Sequence, residues 1–512
     1  MIKYKIENYI LDSLKKLDVE CDSIIIQEPR NQANVDYATN IAMLLAKQLK
    51  ESPEIIAKKI VTQINDAQNN FFEDIMIAKP GFINFKINSS QYSKMLSKII
   101  NYGNSFGKSN IGKHKKALVE FVSANPTGPL TIGHGRGAII GEFASRILDW
   151  NGYAVEREYY FNNAGRQMRK LAESVYARYN EKLGKTSLFP KDGYEGLYIF
   201  DIADKLINTH SDSLEDIEII KDYAENTIFK DIKTTLKKMN ITFDNFFNEK
   251  DLYDNKEIYN VIEALREKKL IYELDGATWF KATKLGLQQD RVLIKSTGEP
   301  TYRLPDMAYH KNKFERDFDV IVDVFGADHM DAYPDVLSVC KNLGYDTSKV
   351  KVLIHQFVTI QKDGNPIKMS TRKANFISLE DLIDDVGADV VKYFFSMRGI
   401  NSHLNFDIDL AKDESDQNPV FYIQYAYARA INIINRSKDS NLYSLDLFKH
   451  HLLTTTEEIN LIKALLNFPE LIEKSTEDFE PQLIANYLMD ISSKFHHYIS
   501  QNKKVTTYHL LL

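Results

Sequence analysis

The hydrophobic pattern of the chain changes period several times. The first segment, MIKYKIENYILDSLKKL, puts Ile6, Ile10, Leu14 and Leu17 on one side of a helix, the spacing of an amphipathic element with one buried face. YATNIAMLLAKQLK and SPEIIAKKIVTQIN keep that period, the second with Ser52 as N-cap and Pro53 at the first helical position. KPGFINFKI then alternates like a strand, with Phe82 and Phe85 prominent. Residues 1–112 therefore read as a small α+β domain, closed by the turn-rich, basic GNSFGKSNIGKHKK as a linker.

Beyond this linker the apolar runs become continuous. ALVEFVSA reads as a buried strand, a Gly/Pro turn leads into the helix HGRGAIIGEFASRILDWNG, and YAVEREYYF is a second strand. FDVIVDVF and VKVLIHQFVTI continue the series, with a helix between them. Strand, turn, helix and strand in this order predict a parallel α/β unit. The expected fold class is α/β: a Rossmann-type parallel-sheet domain over 113–408, carrying a helical and then β-like insertion at about 165–300. An all-α domain over 409–512 follows, opening with NPVFYIQYAYARAINIINR.

A chain of 512 residues is too long for one core and is expected to hold about three to four domains. A hydrophobic content of 44% and a charged content of 27% fit an ordinary soluble protein. No apolar run reaches the roughly 18 residues of a membrane span, and the N-terminus lacks the pattern of a signal peptide. Cys21 and Cys340 are the only cysteines, which argues against a disulfide scaffold or a thiolate zinc site and for the cytoplasm. The net charge of −6 gives no general attraction to nucleic acid, although a local basic patch can still bind it.

The stretch SANPTGPLTIGHGRGA, Ser123 to Ala138, is the first with chemical character. It sits where a strand of an open α/β sheet ends, the usual place for a ligand. Glycines 128, 133, 135 and 137 would allow close approach to the backbone, and the helix start after them favours an anion such as phosphate. His134 can donate to a phosphate oxygen; Arg136 can add charge or face solvent. Read alone, a tight turn with a packed histidine accounts for it equally well. The dinucleotide-binding spacing G-x-G-x-x-G is not met.

TIGH resembles the HIGH signature of class I aminoacyl-tRNA synthetases, and VEFVSANPTGPL around it is similar to the bacterial type of arginyl-tRNA synthetase. His134 matches the second histidine, and Thr131 takes the place of the first. A threonine hydroxyl can bond a phosphate oxygen but carries no charge. The resemblance implies ATP contacts by Pro126, Gly128, Leu130, Thr131, Gly133 and His134. PIKMSTRKANF resembles the family's KMSKS loop, with Lys368, Met369 and Ser370 implied at ATP and Thr371 where the second lysine usually falls. Amino-acid attack on the α-phosphorus of ATP builds negative charge that cations offset. His134, Thr131, Lys368 and Arg372 are the implied catalytic set. Lys373, Lys115 and Lys116 are further sources of positive charge. Mg²⁺ is expected with the ATP phosphates and not in a protein cage.

An arginine site needs carboxylates that can pair with a planar cation. TYRLPDMAYH resembles the family's arginine-binding helix and implies that Tyr302 and Asp306 hold the guanidinium. Taken without the resemblance, Asp306 reads as a residue that stabilises a helix start. Glu120 matches a second pocket carboxylate, and a glutamate in a buried strand needs a partner in any case. Asn125 matches a residue that orients the substrate backbone, and Asp328 and His329 of FGADH match another active-site segment.

The resemblance extends to both ends. It implies that Phe82 and Asn84 contact the tRNA D-loop, by stacking and by reading a base edge, with Phe82 as a core residue the equal alternative. Asp36 stands where the family often has glycine. Gln424, Tyr425 and Arg429 are implied in the anticodon-binding domain. Members of the family continue for a further helical segment past the VTTYHLLL at which this sequence stops, so that domain is expected to lack its C-terminal end. The expected partners are tRNA(Arg), L-arginine and ATP, with no membrane, acting on a monomer. A non-catalytic tRNA-binding paralogue is the main alternative, and a small-molecule nucleotidyltransferase with a T/H-x-G-H turn is the other. Glu120, Tyr302 and Asp306 count against the first, and the chain length against the second.

Overall fold

The computed structural model describes residues 2–21, 23–29, 35–66, 70–210, 214–367, 377–439 and 452–501. They form two compact units. One comprises Met1–Phe106, Tyr425–Pro469 and Asp490–Leu512, and the other Gly107–Gln424 and Glu470–Met489.

The first unit opens with α1 (Ile2–Lys16), β1 (Ile26–Gln27), β2 (Tyr37–Thr39), α2 (Ile41–Leu49), α3 (Pro53–Asn65), β3 (Phe72–Ala78), β4 (Phe82–Ile87) and α4 (Ser89–Tyr102). Its antiparallel sheet has the order β1-β2-β4-β3. The α1 stripe Ile6, Ile10 and Leu14 is buried in one core cluster with Ile83, Phe85 and Ile87 of β4 and with Ile56 and Ile60 of α3. YATNIAMLLAKQLK is not helical throughout. Tyr37 and Thr39 bury alternate side chains in β2, and the helix starts only at Ile41. Ile459, Ile462 and Leu466 from the helix Thr456–Leu466 complete the same core. Asp36 has a structural use: its Oδ2 accepts from the Ile87 amide at 2.8 Å and its Oδ1 pairs with Lys463.

The second unit is built on β5 (Lys116–Glu120), α5 (Ile132–Trp150) and β6 (Ala154–Phe161). Next come α6 (Gly165–Lys182), α7 (Leu197–His210), α8 (Ile217–Lys238) and β7 (Asn245–Asn248). Helices α9 (Glu249–Asp254) and α10 (Glu257–Glu267) precede a small antiparallel sheet of β8 (Ile271–Leu274), β9 (Ala277–Phe280) and β10 (Arg291–Ile294). Then α11 (Arg303–Glu315), β11 (Val320–Gly326), α12 (Tyr333–Leu343) and β12 (Val350–His355) close the main sheet. That sheet is wholly parallel, in the order β12-β11-β5-β6-β7. Strand order reverses at β5, so the crevice between β5 and β11 is the switch point where such sheets bind ligands.

Four features differ from or refine what the sequence implies. The β7 strand inside the predicted insertion rejoins the main sheet beside β6. VKVLIHQFVTI is two strands, β12 and Val350–His355's successor Val358–Lys362, in different sheets. The break falls where Arg136, fully buried, donates from Nη1 to the Gln356 carbonyl at 2.8 Å and from Nη2 to that of Gly399 at 3.0 Å. Arg136 thus neither faces solvent nor reaches a ligand. The basic linker is also tied down: Ser109, Gly112 and His114 donate to the carbonyls of Trp150, Asn151 and Gly152 at the end of α5.

Side chains alternate along β5. Ala117, Val119 and the following Phe121 join the core with α5, whereas Leu118 and Glu120 face the other way. Gly141 lets α5 lie close to this sheet, because a Cβ there would stand 2.1 Å from Phe121 Cγ. Gly141→Ala is expected to destabilise the unit by about 1–3 kcal/mol through overpacking. A lowered urea midpoint would show it; an unchanged midpoint would mean that Phe121 moves freely.

Candidate active site

A cavity of about 830 Å³ opens at the carboxyl ends of the central strands. Its floor is formed where β5 ends. Val122 and Ser123 both take left-handed backbone angles, φ 68° and 44°, an uncommon conformation, above all for a β-branched residue. The turn lets the Ser123 hydroxyl donate to Glu120 Oε1 at 2.8 Å while accepting from the Tyr160 amide. Strain of this kind collects at functional sites.

Thr131 and His134 form a capping box at the start of α5. The Thr131 hydroxyl accepts from the His134 amide, and the Thr131 amide donates to His134 Nδ1 at 3.1 Å. Nδ1 is therefore an acceptor, and in the neutral ring the proton sits on Nε2. Burial, reinforced by nearby His355, lowers the His134 pKa to about 4. A neutral ring with a free Nε2–H beside a helix N-terminus is a donor for an anion. Threonine at 131 thus has a second use, as the side-chain cap of α5, while its backbone amide sets the tautomer of His134.

The glycines differ in kind. A Cβ at Gly133 would meet only Thr131 Oγ1, at 3.7 Å, so the backbone there is open to a ligand. Gly135 instead admits Leu379, Gly137 admits His355, and Gly128 abuts Tyr198. Thr131, Gly133 and His134 line the cavity. Pro126 and Leu130 are buried behind it. Lys116 begins β5 at the end opposite Glu120, with Lys115 just before it. A five-residue strand spans about 13 Å or more between its ends, so neither lysine supplies charge at the phosphate position. Lys368, Met369, Ser370, Thr371, Arg372 and Lys373 lie outside the described residues.

The opposite wall is acidic. Tyr302 caps α11 and is 63% exposed, and Asp306 lies in that helix's first turn. Both line the cavity with Glu120 and Glu249. Burial pushes the Asp306 carboxyl up to about 7; Glu120 and Glu249 add to the rise, and His310 and Lys313 oppose it. Glu249, unmarked in the sequence reading, begins α9 directly after β7 and accepts from Tyr160 Oη and Asn162 Nδ2, both at 2.7 Å. Burial raises its pKa as well. Three carboxylates around one cavity form a receptor for a cation. The partner that Glu120 needed is also present: Lys313 Nζ, 2.6 Å from Oε2.

Asn125 lines the cavity too, donating to Gln167 Oε1 at 3.0 Å and accepting from the Asn162 amide at 3.0 Å. Asp328 stands exposed at the rim in the short turn Ala327–His329; the His329 side chain lies outside what is described. In the first unit Phe82 is 38% exposed and so is not a core residue, whereas Asn84, two residues on along β4, is buried. Gln424 and Tyr425 are exposed on the helix Pro419–Asp439. Arg429 lies over the Tyr425 ring and donates to His496 Nδ1 at 3.2 Å.

The family models divide the chain in the same sense as these features. Residues 95–392 match the catalytic domain of class I tRNA synthetases for arginine, residues 4–87 the arginyl-tRNA synthetase N-terminal domain, and residues 423–507 the DALR anticodon-binding domain. The arginine–tRNA ligase of Desulfotalea psychrophila is 48% identical over 486 residues, covering 94% of this chain and 88% of its own. That of Chlorobaculum tepidum is 46% identical over 508 residues, covering 96% and 92%. The Thermus thermophilus arginyl-tRNA synthetase structure shares the fold, with a TM-score of 0.74 at 19% identity over 97% of this chain and 92% of its own. An acidic pocket facing a capped helix start at the switch point is thus found within matches that span all but a few per cent of the sequence, and the chain belongs to the arginyl-tRNA synthetase family of class I.

Proposed function

We propose that this synthetase acts as an arginine–tRNA ligase, with L-arginine and ATP sharing the cavity at the end of β5. The observation that carries the reading is the group of three carboxylates, Glu120, Glu249 and Asp306, that line the same cavity as His134. The guanidinium would pair with Glu120 and Asp306 against Tyr302. Asn125, Asp328 and His329 would orient the amino-acid end. The carboxylate of arginine then attacks the α-phosphorus of ATP, pyrophosphate leaves, and arginyl-adenylate forms. The terminal ribose hydroxyl of tRNA(Arg) takes the arginyl group and AMP departs.

Charge builds on the phosphoryl oxygens during the first step. His134 Nε2–H and the amides at the start of α5 would donate to those oxygens, and Lys368 and Arg372 would supply positive charge on loop closure. Mg²⁺ would enter bound to the ATP phosphates. In the proposed division of labour, residues 1–112 meet the tRNA D-loop, with Phe82 as the stacking surface. Residues 113–408 carry out the chemistry, and 409–512, with Gln424, Tyr425 and Arg429, meet the anticodon arm. We assign the working form as a cytoplasmic monomer. No helix among the described residues is long and apolar enough to cross a membrane.

Arginine-dependent exchange of pyrophosphate into ATP tests this reading. Exchange is expected with arginine in the presence of tRNA(Arg), and not with lysine or glutamine. Exchange without tRNA would remove the tRNA requirement that the family resemblance implies. No exchange under any condition from folded protein would favour the non-catalytic RNA-binding paralogue.

A further inference from the structure

Three acids stand side by side across the middle of the parallel sheet. Glu120 of β5 is the register partner of Glu158 in β6 and of Asp323 in β11. Neighbours at equal height in a sheet point to the same face, so these side chains form a buried row, none more than 3% exposed. Like charges so close repel strongly unless cations answer them.

The cations come from α11 and its C-cap residue. Lys313, 0% exposed, reaches Glu120 Oε2 and Asp323 Oδ1, each at 2.6 Å. Arg316 grips Glu158 with two bonds, at 2.5 and 2.7 Å, and Tyr309 donates to Glu158 at 2.6 Å. Asp323 Oδ2 lies 3.0 Å from His310 Nε2, and His310 Nδ1 lies 2.9 Å from the Asp306 carbonyl. One chain of contacts therefore runs from the Glu120 carboxylate through Lys313, Asp323 and His310 to the backbone of Asp306. Its two ends are the two acids assigned to the guanidinium. Burial alone would lower the Lys313 pKa, but Asp323 and Glu120 hold it above its ordinary value.

We propose that Lys313, which does not line the cavity, is a positioning residue for arginine recognition. With Ser123 on Oε1 and Lys313 on Oε2, both oxygens of Glu120 are anchored. Each oxygen keeps a lone pair for a ligand, so the carboxylate is presented in one orientation. Through Asp323 and His310 the same lysine seats the first turn of α11 and hence Asp306. The inference rests on the arginine pocket assigned above. Simple charge counting predicts the opposite effect: a cation beside Glu120 should repel the guanidinium, and its removal should tighten binding.

The test compares Lys313→Met with the double variant Lys313→Met/Asp323→Asn, which removes a charge of each sign and so avoids an uncompensated buried aspartate. Arginine and ATP titrations and pyrophosphate exchange would be run on the full chain with tRNA(Arg), with citrulline, the neutral ureido analogue, as competitor. In whichever variant folds, the arginine KM should rise about tenfold or more, the ATP KM should stay within about twofold, and the preference for arginine over citrulline should fall about tenfold. A folded variant with an unchanged or lower arginine KM, or with both KM values raised together, overturns the positioning role. Wild-type protein that binds no arginine would instead refute the pocket assignment.

Discussion

Asp306→Asn should lower kcat/KM for arginine by about thirtyfold or more, through KM more than kcat, because truncating one side of a buried charge pair costs about 2–5 kcal/mol. Asparagine keeps the size and one acceptor oxygen but cannot offer a charged two-pronged surface. The wild-type carboxyl sits at about 7 in the ligand-free cavity because burial, Glu120 and Glu249 disfavour its charged form. A guanidinium reverses this, since an adjacent cation favours the carboxylate. Above pH 7 the acid is already ionised and affinity should be flat. Below pH 7 arginine must displace a proton, and Kd should rise by up to about tenfold per pH unit until the pKa of the complex is reached. Stability of the free protein has the related sign: the folded acid holds its proton longer than the unfolded one, so stability contributed by this group falls as pH rises from about 4 to 7. Isothermal titration from pH 5.5 to 8.5 would measure the first effect. A pH-independent Kd in wild type, or an Asp306→Asn enzyme with ordinary KM, would remove Asp306 from recognition.

Much of the architecture was legible because it depends on local periodicity. The α1 stripe, the buried β5 strand, the turn after it and the α5 helix all follow from spacing within a few residues. The site was legible to the extent that its residues sit in short quotable motifs, as Thr131, His134, Tyr302 and Asp306 do. Glu249 was not, because it belongs to no such motif; only the return of β7 to the sheet brings it to the cavity. Arg136 misled too. Within HGRGA it reads as a cation that either adds charge at a ligand or faces solvent, and its carbonyl partners lie more than 200 residues away. The acid row was hidden too. Glu120, Glu158 and Asp323 become neighbours only through the β6-β5-β11 strand order, so their cost and their compensation by α11 belong to tertiary structure.

His134→Ala should reduce kcat for adenylate formation by about 10²–10³, the usual loss when one donor to a developing oxyanion is removed, with a smaller change in the ATP KM. The effect depends on which ring nitrogen carries the proton. The Thr131 amide occupies Nδ1, so neutral His134 presents Nε2–H, and with a pKa of about 4 it stays neutral through the physiological range. The acid limb of kcat should therefore lack an inflection near pH 6.5 from this histidine, in contrast to the Asp306 inflection near 7 in kcat/KM for arginine. Thr131→Ala separates the two uses of the cap. It removes the hydroxyl that accepts from the His134 amide, at a cost of about 1 kcal/mol in helix capping, yet leaves the backbone amide on Nδ1. Its kcat should fall by much less than that of His134→Ala. If Thr131→Ala matched the histidine variant in kcat while remaining folded, the hydroxyl itself would be the phosphate donor, and the threonine would stand in for the first signature histidine chemically as well as in position.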